Sequence, residues 1–184
     1  MLIILSVLYT ILFVIVLFGM IMQGVTVISL IFTRGVPFVS TPSKRVAIIL
    51  AAAKIKPGQI FLDLGCGKGE FLIEASRDYG ATAIGYEVSL WPYLWAKARI
   101  MISRSTATIK FASFLKADLS QADVIYCYLL RGMMAKLEKK FVAELKPGSR
   151  VFTYAFPLPN RQPNEIVKIK DERKVEGNLY IYFY

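Results

Sequence analysis

The stretch IFLDLGCGKGEFL, Ile60–Leu72, decides how this chain is read. Ile60, Phe61, Leu62 and Leu64 supply an apolar strand, and Phe71, Leu72 and Ala75 resume a helical pattern. Between them Gly65, Gly67 and Gly69 let the backbone bend and approach a ligand closely. A strand, a glycine turn and a helix in that order form a cradle for a nucleotide-like group. A phosphate loop would need Gly-Lys-Ser/Thr, whereas Lys68 is followed by Gly69 and Glu70. The dinucleotide spacing G-x-G-x-x-G also fails, because the third glycine comes one position early.

Charge then narrows the ligand. Asp63, just ahead of the glycines, would repel a pyrophosphate but suits the amino and sulfonium charges of S-adenosylmethionine. A second acid, Glu87, ends the next apolar run, Ala81 to Tyr86, where a carboxylate accepts both ribose hydroxyls. The competing role for Glu87 is to cap a helix starting near Ser89.

Five segments, VPFVSTP (Val36–Pro42), DLGCGKGE (Asp63–Glu70), GYEVSLWPYL (Gly85–Leu94), ADVIYCYL (Ala122–Leu129) and FPLPNRQP (Phe156–Pro163), span most of the chain after residue 34. They resemble the class I methyltransferases. More closely, they are similar to the small membrane-anchored family that trimethylates lysine in the mitochondrial adenine nucleotide translocase and the ATP synthase c subunit. The resemblance implies a Rossmann-like α/β sheet of seven strands, S-adenosylmethionine as cofactor, and a protein lysine as acceptor. It assigns Asp63, Gly65, Cys66, Gly67, Gly69, Glu87, Val88, Ser113 and Phe114 to the cofactor. Relatives usually carry Gly-Ser-Gly-Asp-Gly-Arg in the loop, so Cys66, Lys68 and Glu70 depart from the pattern, the last two with reversed charge. Where relatives often have Asp-Phe beside the adenine, this chain has Ser113-Phe114, leaving backbone groups, Phe114 and, as a lesser substitute, Asp118. Phe114 is equally well read as a core aromatic.

Residues Leu2–Phe32 contain no charged side chain. About 20 apolar residues suffice to cross a bilayer, so this segment is expected to be a transmembrane anchor (1–33) ahead of a methyltransferase domain (34–184). A secretory signal would be shorter, with basic residues first and a small-residue cleavage site last. Arg34, Lys44 and Arg45 follow the segment and no Lys or Arg precedes it, so a single pass with the carboxy-terminal domain in the cytoplasm is expected, or in the matrix if the protein is mitochondrial. The absence of an Arg-rich transit peptide favours a prokaryotic cytoplasmic membrane. The formal charge of +10 falls wholly outside residues 2–32 and is attracted to anionic headgroups. The lysines are scattered, without an arginine-rich arm or an interleaved aromatic motif, so no nucleic-acid partner is expected. Lys136, Lys139 and Lys140 read as a solvated or membrane-facing helix side.

With no histidine and only Cys66 and Cys127, a metal site is not expected; the cysteines read as small buried thiols. The expected element order is a helix at 43–54, a strand at 59–63, a helix at 69–79, a strand at 82–86 and a helix at 90–103. Strands at 108–111 and 123–128, a helix at 133–145 and strands at 150–154, 166–170 and 179–183 follow. The last two strands should form a hairpin turning near Glu176-Gly177-Asn178, giving a mostly parallel sheet with one antiparallel strand. Candidates for the acceptor pocket are Phe38 and Thr41 before the first domain helix, with Tyr126, Tyr128 and Leu129 at the fourth strand's end. Aromatic walls hold methylammonium groups through cation–π contacts. Tyr126 is expected to point into the sheet if Tyr128 points out. The leading expectation is a membrane-anchored protein-lysine methyltransferase. Its rivals are an enzyme for a small lipophilic molecule or lipid headgroup and a cofactor-binding membrane module without turnover. The oligomeric state is left open.

Overall fold

A computed structural model describes residues 2–32, 41–170 and 176–184. The chain divides into two compact units, residues 1–37 and 38–184. The first contains helix α1 (Leu2–Phe32), in which no side chain from Ile4 to Ile21 is buried and the mean hydropathy over that span is 2.8. It is long and apolar enough to cross a membrane by length and composition. Arg34 and Phe38 lie outside the described residues.

The second unit alternates helices and strands. Its elements are α2 (Ser43–Ala53), β1 (Ile60–Leu64), α3 (Glu70–Tyr79), β2 (Thr82–Glu87), α4 (Leu90–Ile102) and β3 (Thr108–Phe111). A single 3-10 turn (Phe114–Lys116) precedes β4 (Val124–Cys127), α5 (Arg131–Glu144), β5 (Arg150–Tyr154), β6 (Glu165–Lys170) and β7 (Glu176–Phe183). The seven strands form one sheet in the order β3-β2-β1-β4-β5-β7-β6, with β7 antiparallel to both of its neighbours and the rest parallel. This is the Rossmann-like mixed sheet that the alternation of apolar runs implies.

Side chains alternate between the two faces of the sheet with period two. Phe61, Val124 and Tyr126 pack with Val46 and Leu50 of α2 and Phe71 of α3, while Leu62, Ile125 and Cys127 pack with Met134, Leu137 and Phe141 of α5. The central strands are therefore buried on both sides, which is why they read as continuous apolar runs. Helix α3 ends at Gly80, whose φ of 65° and amide bond to the Ala75 carbonyl close the helix before β2 begins.

The hairpin turn does not lie at Glu176-Gly177-Asn178. Those residues are already paired with Lys170, Ile169 and Lys168 of β6, and Gly177 is needed because a Cβ there would collide with the Tyr154 hydroxyl. Helix α5 starts at Arg131, two residues before the apolar spacing signals it, because Arg131 and Gly132 are exposed and carry no apolar signal.

Candidate functional site

The strand order reverses between β1 and β4, the place where an open α/β sheet leaves a crevice at the carboxyl ends of its strands. The glycine loop leaves β1 at this point. Gly65, Gly67 and Gly69 all have left-handed φ, 87°, 55° and 75°, a conformation that costs glycine nothing. The loop is clasped to β2, since the amides of Gly65 and Cys66 donate to the Tyr86 carbonyl at 2.9 and 3.1 Å. Gly85 makes this possible: a Cβ on it would come within 2.6 Å of the Cys66 sulfur and would also strike Leu72. Leu129, just beyond β4, lies over Gly65 so closely that a Cβ there would meet its side chain at 3.0 Å.

Glu87 joins the loop to the end of β2. One carboxylate oxygen accepts from the Gly67 amide at 3.0 Å, the other from the amides of Val88 and Ser89 at 2.9 and 2.7 Å. The carboxylate thus ties the glycine loop to the amides that lead into α4. The two departures at Lys68 and Glu70 meet a single partner. Arg99 of α4 donates to the Lys68 carbonyl at 3.0 Å and pairs with Glu70 at 2.6 Å, so the acid at position 70 ties the loop to α4. An acid in the first turn of α3 also suits the positive end of that helix.

Asp63 is 2% exposed. Burial first, then the neighbouring carboxylates of Glu87 and Glu70, hold its carboxyl well above the usual range, and no hydrogen bond from a described residue offsets the rise. Its side chain shares a face with Phe61 and lies in register with Tyr126 and Gly85. Tyr126 is stacked on Phe71, ring centroids 4.0 Å apart. Burial drives its hydroxyl far above the phenol range, Asp63 adds to this, and the Thr41 side chain opposes it. Thr41, Asp63 and Tyr126 thus gather in one buried group.

Tyr128 is half-buried on the same face, its ring edge-on to Tyr154 at 5.1 Å. The expected opposition of Tyr126 and Tyr128 is wrong for a simple reason: residues two apart on a strand share a face. Two further residues complete this corner, neither of which the sequence marks as a site residue. Tyr154 ends β5, a position that the strand-end rule could have flagged. Arg45 of α2 is 8% exposed, with its guanidinium 5.4 Å from the Tyr154 ring. A charge in the first turn of a helix ordinarily reads as solvated, so its burial is not visible in the sequence.

The remaining candidates are dispersed. Val88 is half-buried beside Glu87. The Ser113 hydroxyl accepts from the Leu115 amide at 3.3 Å and opens the 3-10 turn, while Phe114 packs half-buried on the core cluster around Leu119. Asp118 is exposed and accepts from the Ser120 amide at 2.9 Å, which lowers its pKa. Cys66 and Cys127 are free, buried thiols, kept protonated chiefly by burial. Among the described residues no cluster of ligating side chains suits a metal ion.

The family model for the ANTKMT methyltransferase domain matches residues 63–165, which contain the glycine loop, Glu87 and the ends of β4 and β5. The chain belongs to this family. A protein-lysine N-methyltransferase of Saccharolobus islandicus is 35% identical over 150 residues, covering 80% of this chain and 92% of that protein. The adenine nucleotide translocase lysine N-methyltransferase of Mus musculus is 29% identical over 134 residues, or 72% of this chain. That match covers 58% of the mouse protein. Among solved structures, an RNA methyltransferase from Salinibacter ruber in complex with S-adenosyl-L-homocysteine superposes with a TM-score of 0.72 at 26% identity, covering 79% of this chain and 93% of that one. The ANTKMT-family chain described here is an S-adenosylmethionine-dependent methyltransferase.

Proposed function

We propose that this enzyme is a protein-lysine N-methyltransferase held at a membrane by residues 2–32, with residues 34–184 as the methyltransferase domain on the cytoplasmic side, or the matrix side in a mitochondrion. Its acceptor would be a lysine of a membrane protein. The observation that carries the reading is the buried acidic corner at Asp63 beside a wall of three tyrosines, Tyr126, Tyr128 and Tyr154. The names of its relatives from Saccharolobus and mouse support lysine as the acceptor. The uncharged length of α1 supports the anchor.

The residues present fit the cofactor. A buried carboxyl flanked by two acids, with no described donor, has the chemistry to receive an amino group. We assign Asp63 to that amino group, Glu87 and Val88 to the ribose side, and Gly65, Cys66, Gly67 and Gly69 to close backbone approach. Ser113 and Phe114 border the adenine side. When bound, S-adenosylmethionine supplies an electrophilic methyl group on a sulfonium centre.

The protein's own share is to present a neutral amine. Lysine has an ordinary pKa of about 10.4. The chain has no histidine, the Tyr126 phenol is held neutral and Asp63 is given to the cofactor, so no side chain is assigned the part of a general base. The amine must lose its proton to water before the methyl is transferred. The buried Arg45 guanidinium beside Tyr154 disfavours the ammonium form of the acceptor, Thr41 and Tyr126 supply neutral hydroxyls, and the tyrosine rings hold the methylammonium product. The activity should accordingly rise with pH without a descending limb near neutrality. In Arg45→Met the midpoint of that rise should move up by roughly one pH unit, with the high-pH plateau retained. A lowered plateau with an unmoved midpoint would make Arg45 a packing residue.

The function is tested by adding isotopically labelled S-adenosylmethionine and the enzyme to membranes lacking it, then separating protein from lipid and small-molecule fractions. A labelled protein band carrying methyl-lysine is expected. Label only in the lipid or small-molecule fraction would transfer the assignment to a lipophilic acceptor. Binding without label anywhere would leave a cofactor-binding module.

A further inference from the structure

Helix α4 and the strand after it carry apolar side chains that the described domain leaves exposed. Leu90, Trp91, Leu94 and Trp95 are all exposed, Trp95 at 59%, and toward the helix end Met101 and Ile102 are 75% and 78% exposed. Phe111 of β3 lies beside α4, its ring 5.1 Å from that of Tyr93 yet still largely exposed, and Leu115 of the 3-10 turn is exposed farther along the chain. Between α4 and β3 runs a groove of about 520 Å³ lined by Leu94, Ala98, Ile100, Met101, Ala107 and Ile109. A contiguous apolar patch of this kind on a soluble face marks an interaction surface.

Charge identifies its occupant. The 30 residues from Val88 to Ala117 contain Lys97, Arg99, Arg104, Lys110 and Lys116 and not one Asp or Glu. Arg99 is paired with Glu70, whereas Lys97 lines the groove and Arg104 follows the helix, both exposed; Lys110, over the Tyr86 ring, and Lys116 stand exposed at the edge strand and the turn after it. Tryptophans at the rim, aliphatic side chains among them and basic residues around them are the combination that settles at an anionic bilayer surface. A single-stranded RNA would want its aromatic platforms set in a polar groove, whereas here Leu90, Leu94, Met101 and Ile102 stand exposed among Trp91, Trp95 and Phe111.

We propose that the α4–β3 face docks on the surface of a bilayer containing anionic lipid. The inference goes beyond the anchor and does not depend on α1 crossing the membrane. Leu90 follows Glu87 by three residues, so the face begins at the carboxyl end of β2, beside the crevice. Docking turns the crevice end of the sheet towards acceptors at the membrane surface.

The chain's only two tryptophans, Trp91 and Trp95, both lie on this face, and α1 contains none, so tryptophan emission excited at wavelengths where tyrosine does not absorb reports on it alone. Full-length protein is reconstituted in phosphatidylcholine vesicles with or without phosphatidylglycerol, using brominated acyl chains as quencher. Quenching and a blue-shifted emission are expected, stronger with the anionic lipid, with each basic residue contributing about fivefold to docking. The variant K97E/R104E/K110E/K116E should lose the dependence on anionic lipid. Proteinase K protection of residues 2–32 is followed in the same vesicles. Protected residues 2–32 with unquenched tryptophans would overturn the docking and leave the anchor standing. Quenched tryptophans with residues 2–32 digested would uphold the docking and overturn the anchor. Tryptophans that respond to an RNA oligonucleotide but not to vesicles would overturn the docking in favour of nucleic acid.

Discussion

Asp63→Asn is expected to weaken S-adenosylmethionine binding by about 10- to 100-fold, the loss of a hydrogen bond to a charged group worth about 1.5–3 kcal/mol, while the folded protein keeps or gains stability at neutral pH. The second half of that expectation distinguishes a binding group from a structural one. The folded state holds the Asp63 proton more tightly than the unfolded chain does, since burial, Glu87 and Glu70 all raise its pKa. Stability contributed by this group is therefore lost as pH climbs from the unfolded value of about 3.9 through the folded one. An amide at the same place has no charge to desolvate. Cofactor affinity should run the opposite way, rising with pH as the carboxylate forms, and binding should release a proton in that range. Titration calorimetry in buffers of different ionisation enthalpy, beside thermal unfolding of the two proteins, measures all three. Unchanged affinity in a folded Asp63→Asn variant would remove Asp63 from the cofactor site.

The second large effect belongs to Glu87. Replacement by Ala removes the acceptor of three amides, those of Gly67, Val88 and Ser89, at a residue only 7% exposed. Leaving buried donors without a partner costs about 1–3 kcal/mol each at sites water cannot reach, so a loss of about 2–4 kcal/mol in stability is expected, together with loss of methyl transfer. Glu87→Gln separates the two effects. Its amide oxygen can still accept from one side, so folding should be largely restored, while the two-oxygen carboxylate suited to ribose hydroxyls is gone. Methyl transfer restored to the wild-type rate in Glu87→Gln would assign Glu87 to the α4 entry alone.

Family membership explains the scaffold, but the chain's departures from the common loop have their own local cause. Glu70 would look like an unfavourable exchange beside Asp63 and Glu87 if charge alone were counted. Arg99 compensates from α4, at 2.6 Å from Glu70, and the same guanidinium holds the Lys68 carbonyl. The altered loop is tied to α4 rather than left loose, and α4 is also the helix whose outer face is apolar and basic. The segment from Phe156 to Pro163 is likewise tied down: the Leu158 amide donates to the Tyr182 hydroxyl at 2.9 Å and the Asn160 side chain to Glu138 at 3.0 Å.

The glycine turn, the strand-end acids and the alternation of elements were legible in the sequence because each rests on a local rule. Positive φ needs glycine, a doubly buried strand needs a run of apolar residues, and an acid before a glycine loop selects against phosphate. The uncharged run at residues 2–32 was equally plain, since hydropathy is additive along a helix. Contacts between distant segments were not legible. Arg45 and Tyr154 lie 109 positions apart, and only the packing of α2 against the sheet brings the guanidinium to 5.4 Å from the ring. Gly85 reads as an ordinary strand residue until the Cys66 loop folds over it. The facing of Tyr126 and Tyr128 needed only the period of a strand, whereas the partners of those rings, Phe71 and Tyr154, depended on which helix and which strand came alongside. Sequence determined the elements and the chemistry of the loop, because those follow from neighbours within a few residues. Tertiary structure decided which buried charges meet, because burial is a property of the whole sheet and its covering helices.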